Sequence, residues 1–246
     1  MRKDNPAWQI GDGPRSLPAG EIHVWRFSLD SAFDSGQRSR CQLALRGLLG
    51  RCLGVAPENV RLTRGTFGKP GLDREAHAQD IQFNMSHSGT VALVVLARGR
   101  RVGIDVQEVR PVAHLEDFCL RFFPPPQDEW IRGLSGAAKT RAFHACWTRR
   151  EAAIKALGGS ITELPRDAIG PMDSIDPRRP VRLIRLTPAG DIAWQLADLP
   201  VQAGYAAALC FESPPAAVSL WTGPYGPGVA PGPAAGPGAP APRCRE

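Results

Sequence analysis

The 246 residues predict an α+β fold in which strand-rich stretches flank a central block of helices. Three observations carry that reading. Runs of β-branched and aromatic residues occur at 22–29, at 91–109 and again at 181–212. Apolar residues recur at helical spacing through 113–157. Hydrophobic residues make up 43% of the chain and charged residues 22%, the usage of a globular protein rather than a fibrous or disordered one.

The elements follow in order. Residues 22–29 read as a strand. Residues 34–54 predict a helix that Asp34 or Ser35 can cap, with Cys41, Leu45, Leu48 or Leu49, and Cys52 forming one apolar stripe. A short strand is expected at 60–64, then a polar loop at 65–79 that holds Phe67-Gly68-Lys69-Pro70-Gly71. Residues 91–98 and 101–109 read as a hairpin turned at Arg98-Gly99-Arg100-Arg101, and Pro111 breaks the second strand. Helices are predicted at 113–123, 127–134 and 137–157, the last one stopped by Gly158-Gly159. Residues 181–186, 191–196 and 205–212 are expected to form three strands of a closing sheet.

Of the 25 residues from Thr222 to Glu246, 13 are Gly or Pro. Such a segment has little to bury, so a disordered tail is expected at 221–246 and a folding unit at 20–220. The net charge of +6 suits an anionic partner: nucleic acid, an acidic protein, a membrane surface or a polyphosphate. It is also what solvated arginines alone would produce. Cysteines 41, 52, 119, 146, 210 and 244 form no Cys-x-x-Cys pair, and the expectation is reduced thiols, most of them in the core. No apolar h-region follows the N-terminus, and the longest apolar run, 91–97, is too short to span a membrane. A soluble cytoplasmic protein is expected.

Three constellations and two isolated cations carry candidate chemistry. Phe83-Asn84-Met85-Ser86-His87-Ser88-Gly89 stands just before the apolar strand. Imidazole, hydroxyl and backbone donors there could converge on a phosphate oxygen; the other reading is a turn histidine tied to local backbone. In Val102-Gly103-Ile104-Asp105-Val106-Gln107, strand alternation puts Val102, Ile104 and Val106 on the core face and Gly103, Asp105 and Gln107 on the other. A carboxylate in so apolar a strand is costly unless a cation or donor meets it. Side chains two apart sit about 6.5–7 Å apart at Cα, within joint reach of one hard cation; a solvated second face is the alternative. Phe143, Trp147, Glu151 and Lys155 follow at four-residue spacing on one helical stripe, so two apolar anchors draw Glu151 and Lys155 to the core boundary. The alternative is an exposed pair worth about 0.3–0.5 kcal/mol. Arg38, near a helix start, and Lys69, in a Gly-Lys-Pro loop, are available to an anion or simply solvated.

Taken together, Gly68-Lys69-Pro70, the 83–88 segment, Val102-Gly103-Ile104-Asp105-Val106 and Trp147-Thr148-Arg149-Arg150-Glu151-Ala152-Ala153-Ile154-Lys155-Ala156 resemble the Sfp-type 4′-phosphopantetheinyl transferases in kind, order and spacing. The well-matched stretch is 38–159, about half the chain. The resemblance implies Mg²⁺-dependent transfer of 4′-phosphopantetheine from coenzyme A to a serine of an acyl or peptidyl carrier protein, releasing adenosine 3′,5′-bisphosphate. It also implies two similar α+β halves, here 20–107 and 108–220, with coenzyme A in the cleft between them. Residue by residue, Asp105 and Glu151 match the family's metal carboxylates, and Gln107 stands at a third metal position. Glu151 matches the residue that deprotonates the incoming serine, and Lys155 the lysine that meets the pyrophosphate. Ser86 and His87 match phosphate contacts; Arg38 and Lys69 match residues at the nucleotide end.

Two departures stand out. The family often has an acid where Gln107 stands, and Glu108 cannot replace it because it points to the opposite face. The segment before Arg38 also lacks lysines that some members use on the nucleotide. Arg98, Arg100, Arg101 and Arg149 are expected to steer an acidic carrier. The resemblance further implies a cytoplasmic monomer serving fatty acid, polyketide or nonribosomal peptide synthesis, with no nucleic-acid or membrane partner. A Mg²⁺-dependent phosphohydrolase or nuclease built on Asp105, Glu151 and His87 would account for the carboxylates but not for the four motifs in order. A nucleic-acid-binding module would interleave basic residues with exposed aromatics, and only 7% of the chain is aromatic.

Overall fold

The structure is a computed structural model that describes residues 8–11, 13–29, 35–65, 68–160, 164–169, 182–184 and 193–223. The cap expected at Asp34, Phe67, the outer parts of the 181–186 and 191–196 strands, and the tail beyond Gly223 lie outside the described residues. Strands β1 (Gln9–Ile10) and β2 (Glu21–Ser28) precede helix α1 (Ser35–Leu53). There follow β3 (Leu62–Arg64), β4 (Pro70–Leu72), β5 (Ile81–Ser88), β6 (Val91–Arg98) and β7 (Val102–Glu108). Helices α2 (Leu115–Phe122), α3 (Pro125–Arg132) and α4 (Gly136–Leu157) come next, and β8 (Arg182–Ile184), β9 (Trp194–Asp198), β10 (Tyr205–Glu212) and β11 (Ala217–Thr222) close the chain.

The strands form a sheet in the order β1-β11-β2-β6-β5, a second in the order β7-β10-β9-β8, and a small β3-β4 pair. Alternation along each strand sorts side chains into layers. Ala92, Val94 and Leu96 of β6, with Trp25 and Phe27 of β2, pack against Cys41, Leu45, Leu48 and Leu49 of α1. The opposite faces, Val91, Leu93 and Val95 of β6 and Ile22 and Val24 of β2, meet Val102, Ile104 and Val106 of β7 and Leu209 and Phe211 of β10. Beyond β10, Ala208 and Cys210 pack on Ala152, Ala153 and Ala156 of α4. The layers therefore run α1, first sheet, second sheet, α4.

This layering overturns the hairpin expected across Gly99. β6 pairs with β2 and β5, and β7 pairs with β10. The apolar faces of β6 and β7 stack on one another across the shared core, and both edges of β6 are already taken. Gly99, at φ 68°, carries the chain from one sheet to the other. The segment 83–89 also differs from its reading as a polar cluster ahead of a strand. Most of it is strand β5, at the edge of the first sheet. At the two ends the fold reaches further than 20–220. β11 runs parallel to β2, β1 runs parallel to β11, and Trp221 packs against the first core, so burial extends the ordered chain through Thr222. Cys41, Cys119, Cys146 and Cys210 are buried free thiols, as expected, and burial pushes their pKa values up. Among the described residues no helix is long and apolar enough to cross a membrane.

Two contacts fix the second sheet in place. The first is a seam of side-chain to main-chain hydrogen bonds between β5 and β7. Asn84 Oδ1, Ser86 Oγ and Ser88 Oγ accept from the backbone N–H groups of Ile104 (3.0 Å), Val106 (3.4 Å) and Glu108 (2.9 Å). These are the β7 amides that point away from β10, so three short polar side chains satisfy an edge that would otherwise be unpaired. The second contact is at Gly103. A Cβ there would lie 2.2 Å from Ala152 O and from Ala156 N, so α4 rests its own backbone on β7.

Two stability predictions follow from these contacts. Gly103→Ala must push α4 off β7 and is expected to lower unfolding free energy by about 1–3 kcal/mol, read from urea denaturation. Asn84→Ala leaves the Ile104 N–H buried without its acceptor and should cost about 1–3 kcal/mol in the same assay.

Candidate active site

The seam and the α4 crossing bring five of the expected residues to one place. Asp105, only 1% exposed, leaves β7 on the side covered by α4. Lys155 reaches across from α4 and places Nζ 2.6 Å from Asp105 Oδ1 and 3.1 Å from Ser86 Oγ. Ser86 donates its hydroxyl to Asp105 Oδ1 at 2.7 Å, and Gln107 donates its amide to Asp105 Oδ2 at 3.2 Å. Glu151 stands one turn before Lys155 on α4 and is half-buried. Burial raises the pKa of its carboxyl, and the charge of Asp105 raises it further; Lys155 and Arg150 pull it back.

Burying a carboxylate and an ammonium together returns little stability, because desolvation offsets the attraction. Concentrating that cost at one spot, with a second carboxylate beside it, is characteristic of a functional site. Among the described residues no three His, Cys, Asp or Glu side chains gather as a metal cluster. The donors present are two carboxylates and one amide. They suit a hard cation that takes one or two carboxylates and completes its shell with water and substrate phosphates. Glu108 takes no part: it pairs with Arg110 and faces Gly89, the orientation the strand alternation predicted.

Ser86 is saturated where it stands. Its single proton goes to Asp105, and its lone pairs meet Lys155 and the Val106 N–H. Sequence reasoning singled out Ser86 and His87 together, yet a strand sends them to opposite faces. His87 falls on the side of Phe83 and Met85, which pack against α1. Asn84 and Ser88 were missed as seam residues. Their signal was a period-two run of short polar side chains, Asn84, Ser86 and Ser88, alternating with Phe83, Met85 and His87.

The expected cations are placed separately. Arg38 lies in the first turn of α1, with its side chain outside the described residues. Lys69 turns inward and donates to the carbonyls of Val102 (3.2 Å) and Lys155. Beside it opens a cleft of ≈ 330 Å³ lined in part by Arg64, Arg74, Arg101 and Gly158. Arg149, expected to steer a partner, is instead buried: Nε donates to Asp198 Oδ1 at 2.7 Å, tying α4 to β9. Arg150 is buried as well and holds the carbonyls of Leu164 and Pro165.

Comparison with known proteins bears on this arrangement. The profile of the 4′-phosphopantetheinyl transferase superfamily matches residues 101–210, and that of a 4′-phosphopantetheinyl transferase N-terminal region matches 23–99. The 4′-phosphopantetheinyl transferase HetI of Nostoc is 31% identical over 209 residues, 75% of this chain and 84% of that one. The transferase AcpT of Salmonella typhimurium is 32% identical over 149 residues, 61% of this chain and 73% of that one. Among solved structures, the ACPS–CoA complex of Chronobacterium ammoniagenes aligns over 47% of this chain and 98% of that one, at 18% identity and a TM-score of 0.30, too weak a likeness to argue from. The matched regions take in β5, β7 and α4, which build the cluster around Asp105, and on the strength of the HetI match the chain belongs to the 4′-phosphopantetheinyl transferase superfamily.

Proposed function

We propose that this enzyme moves the 4′-phosphopantetheine group of coenzyme A onto a serine hydroxyl of an apo acyl or peptidyl carrier protein. The observation that carries the reading is the pairing of the buried Asp105 with Lys155, with Glu151 beside it, where α4 crosses β7. The serine oxygen forms a bond to the pantetheine-side phosphorus of the pyrophosphate. The bond to the nucleotide phosphate breaks, and adenosine 3′,5′-bisphosphate leaves.

Each residue has a task in that exchange. Glu151 accepts the serine proton, directly or through water, and a raised pKa makes it a stronger base than an exposed carboxylate. Lys155 offsets the charge that builds on the pyrophosphate. His87 and Arg38 are assigned to phosphates, and Arg64 and Arg74 in the neighbouring cleft extend the basic lining toward the nucleotide. Ser86 orders Asp105 and Lys155. Asp105 and Glu151, with Gln107 as a neutral third donor, would hold Mg²⁺, which when bound neutralises charge on the phosphates.

Intact-protein mass spectrometry tests the reading. Apo acyl and apo peptidyl carrier proteins are incubated with coenzyme A and Mg²⁺, and one phosphopantetheine mass gain is expected with the parent enzyme and none with Glu151→Ala. Modification of neither carrier, or protection against thermal unfolding by mononucleotides rather than by coenzyme A, would favour a phosphohydrolase instead. Gln107→Glu adds a charged oxygen beside Asp105 and should lower the Mg²⁺ concentration needed for half activity; an unchanged Mg²⁺ titration would remove Gln107 from the metal site.

A further inference from the structure

Lys69, expected at the nucleotide, turns its ammonium onto main-chain carbonyls instead, and what it grips is informative. Its two acceptors are the carbonyl of Val102, the first residue of β7, and the carbonyl of Lys155 in the last turn of α4. The final carbonyls of a helix have no partner within it. Here the Gly158 and Gly159 N–H groups both turn back to Ile154 O, at 2.9 and 3.2 Å, so neither serves Lys155. A cation at a helix C-terminus is also favoured by the helix dipole. The alkyl stem of Lys69 runs beside Gly158, the left-handed residue that ends α4.

These contacts bracket the place where α4 crosses β7. Val102 adjoins Gly103, on which Ala152 and Ala156 rest, and Lys155 adjoins Ala156. One ammonium therefore holds the main chain of the strand and of the helix at their closest approach. The second of these is the main chain of the residue whose side chain meets Asp105.

We infer that Lys69 is a positioning residue: by clamping the carbonyls of Val102 and Lys155 it sets the end of α4, and so the reach of Lys155 to Asp105, rather than serving mainly as a contact for the nucleotide. This rests on the phosphopantetheinyl-transfer reading of the same site. Burial first, and then the charge of Arg101, lower the pKa of Lys69 to about 8, with Cys210 and Glu212 opposing the shift. The sign is that of a lysine depressed in the fold. A destabilising contribution is fully present below about 8 and fades as pH rises from there toward the unfolded value of 10.5. A lysine kept inward at that cost is held for what it grips.

The test compares the parent with Lys69→Met and Lys69→Arg. Coenzyme A affinity is measured by calorimetry, kcat and KM on an apo carrier, and amide hydrogen exchange at 157–159. For Lys69→Met the expectation is a kcat loss of roughly 10- to 100-fold, the scale of a small misplacement of a reacting group. The dissociation constant for coenzyme A should stay within about twofold, and exchange at 157–159 should quicken. Lys69→Arg, long enough to reach both carbonyls, should recover part of kcat. Should Lys69→Met fail to fold, Lys69→Gln, with a donor but no charge, carries the same comparison. A variant with full kcat, weakened coenzyme A binding and unchanged exchange would overturn the inference and return Lys69 to the ligand. A parent protein that modifies neither carrier would overturn the functional reading itself, and the exchange data would show separately whether the clamp exists.

Discussion

The contact of α4 with β7 at Gly103 is the constraint on which the site depends. Helix and strand usually meet through side chains, which keep their backbones well apart. Here the missing side chain lets the helix backbone rest on the strand. That closeness brings Lys155 from the helix and Asp105 from the strand to 2.6 Å, and keeps Glu151 near enough to feel the charge of Asp105. Small residues continue the pattern on the helix, where Ala152, Ala153 and Ala156 pack against Ala208 and Cys210 of β10. A larger residue at any of these places would lift α4 and carry Lys155 and Glu151 away from Asp105.

The second support is the seam. β5 and β7 belong to different sheets, yet Asn84, Ser86 and Ser88 join them by accepting three β7 amides. Ser86 belongs to both the seam and the cluster, because the same oxygen that meets Val106 also meets Asp105 and Lys155. A buried ion pair is tolerated where its remaining hydrogen-bonding capacity is filled, and here Ser86 and Gln107 fill it on both oxygens of Asp105. On the α4 side Ala152, Ala153 and Ala156 pack against Ala208 and Cys210 of β10, and Asp105 itself is 1% exposed.

The electrostatics divide into local and general parts. Several of the arginines that make the chain basic are occupied in building the fold. Arg149 ties α4 to β9, Arg150 holds the 164–165 turn, and Arg101 pairs with Glu212 while lying over Trp194. Net charge counted from sequence thus overstates what is available to a partner. Arg64 and Arg74 of the cleft beside Lys69 are exposed, on the side where the small β3-β4 pair, the start of β5 and the end of α4 come together.

By itself the sequence determined the α+β class, the positions of α1 and α4 and the core face of β7, and it singled out Asp105, Glu151 and Lys155, which the fold brings side by side. These are local matters. Periodicity of two or of 3.6 is written in neighbouring residues, and a carboxylate in an apolar strand is costly wherever that strand lies. Only the tertiary structure decided which strands pair. The apolar run of β6 reads the same whether it turns back on β7 or stacks against it, so nothing local distinguished a hairpin from a change of sheet. The same holds for the side chains. Whether Ser86 faces a phosphate or Asp105, whether Lys69 points out or grips α4, and whether Arg149 steers or ties β9 down depend on partners distant in the chain, at separations of 19 for Ser86 and Asp105, 49 for Arg149 and Asp198, and 86 for Lys69 and Lys155. Long-range contacts of that kind are settled by how the layers stack, and no short motif encodes them.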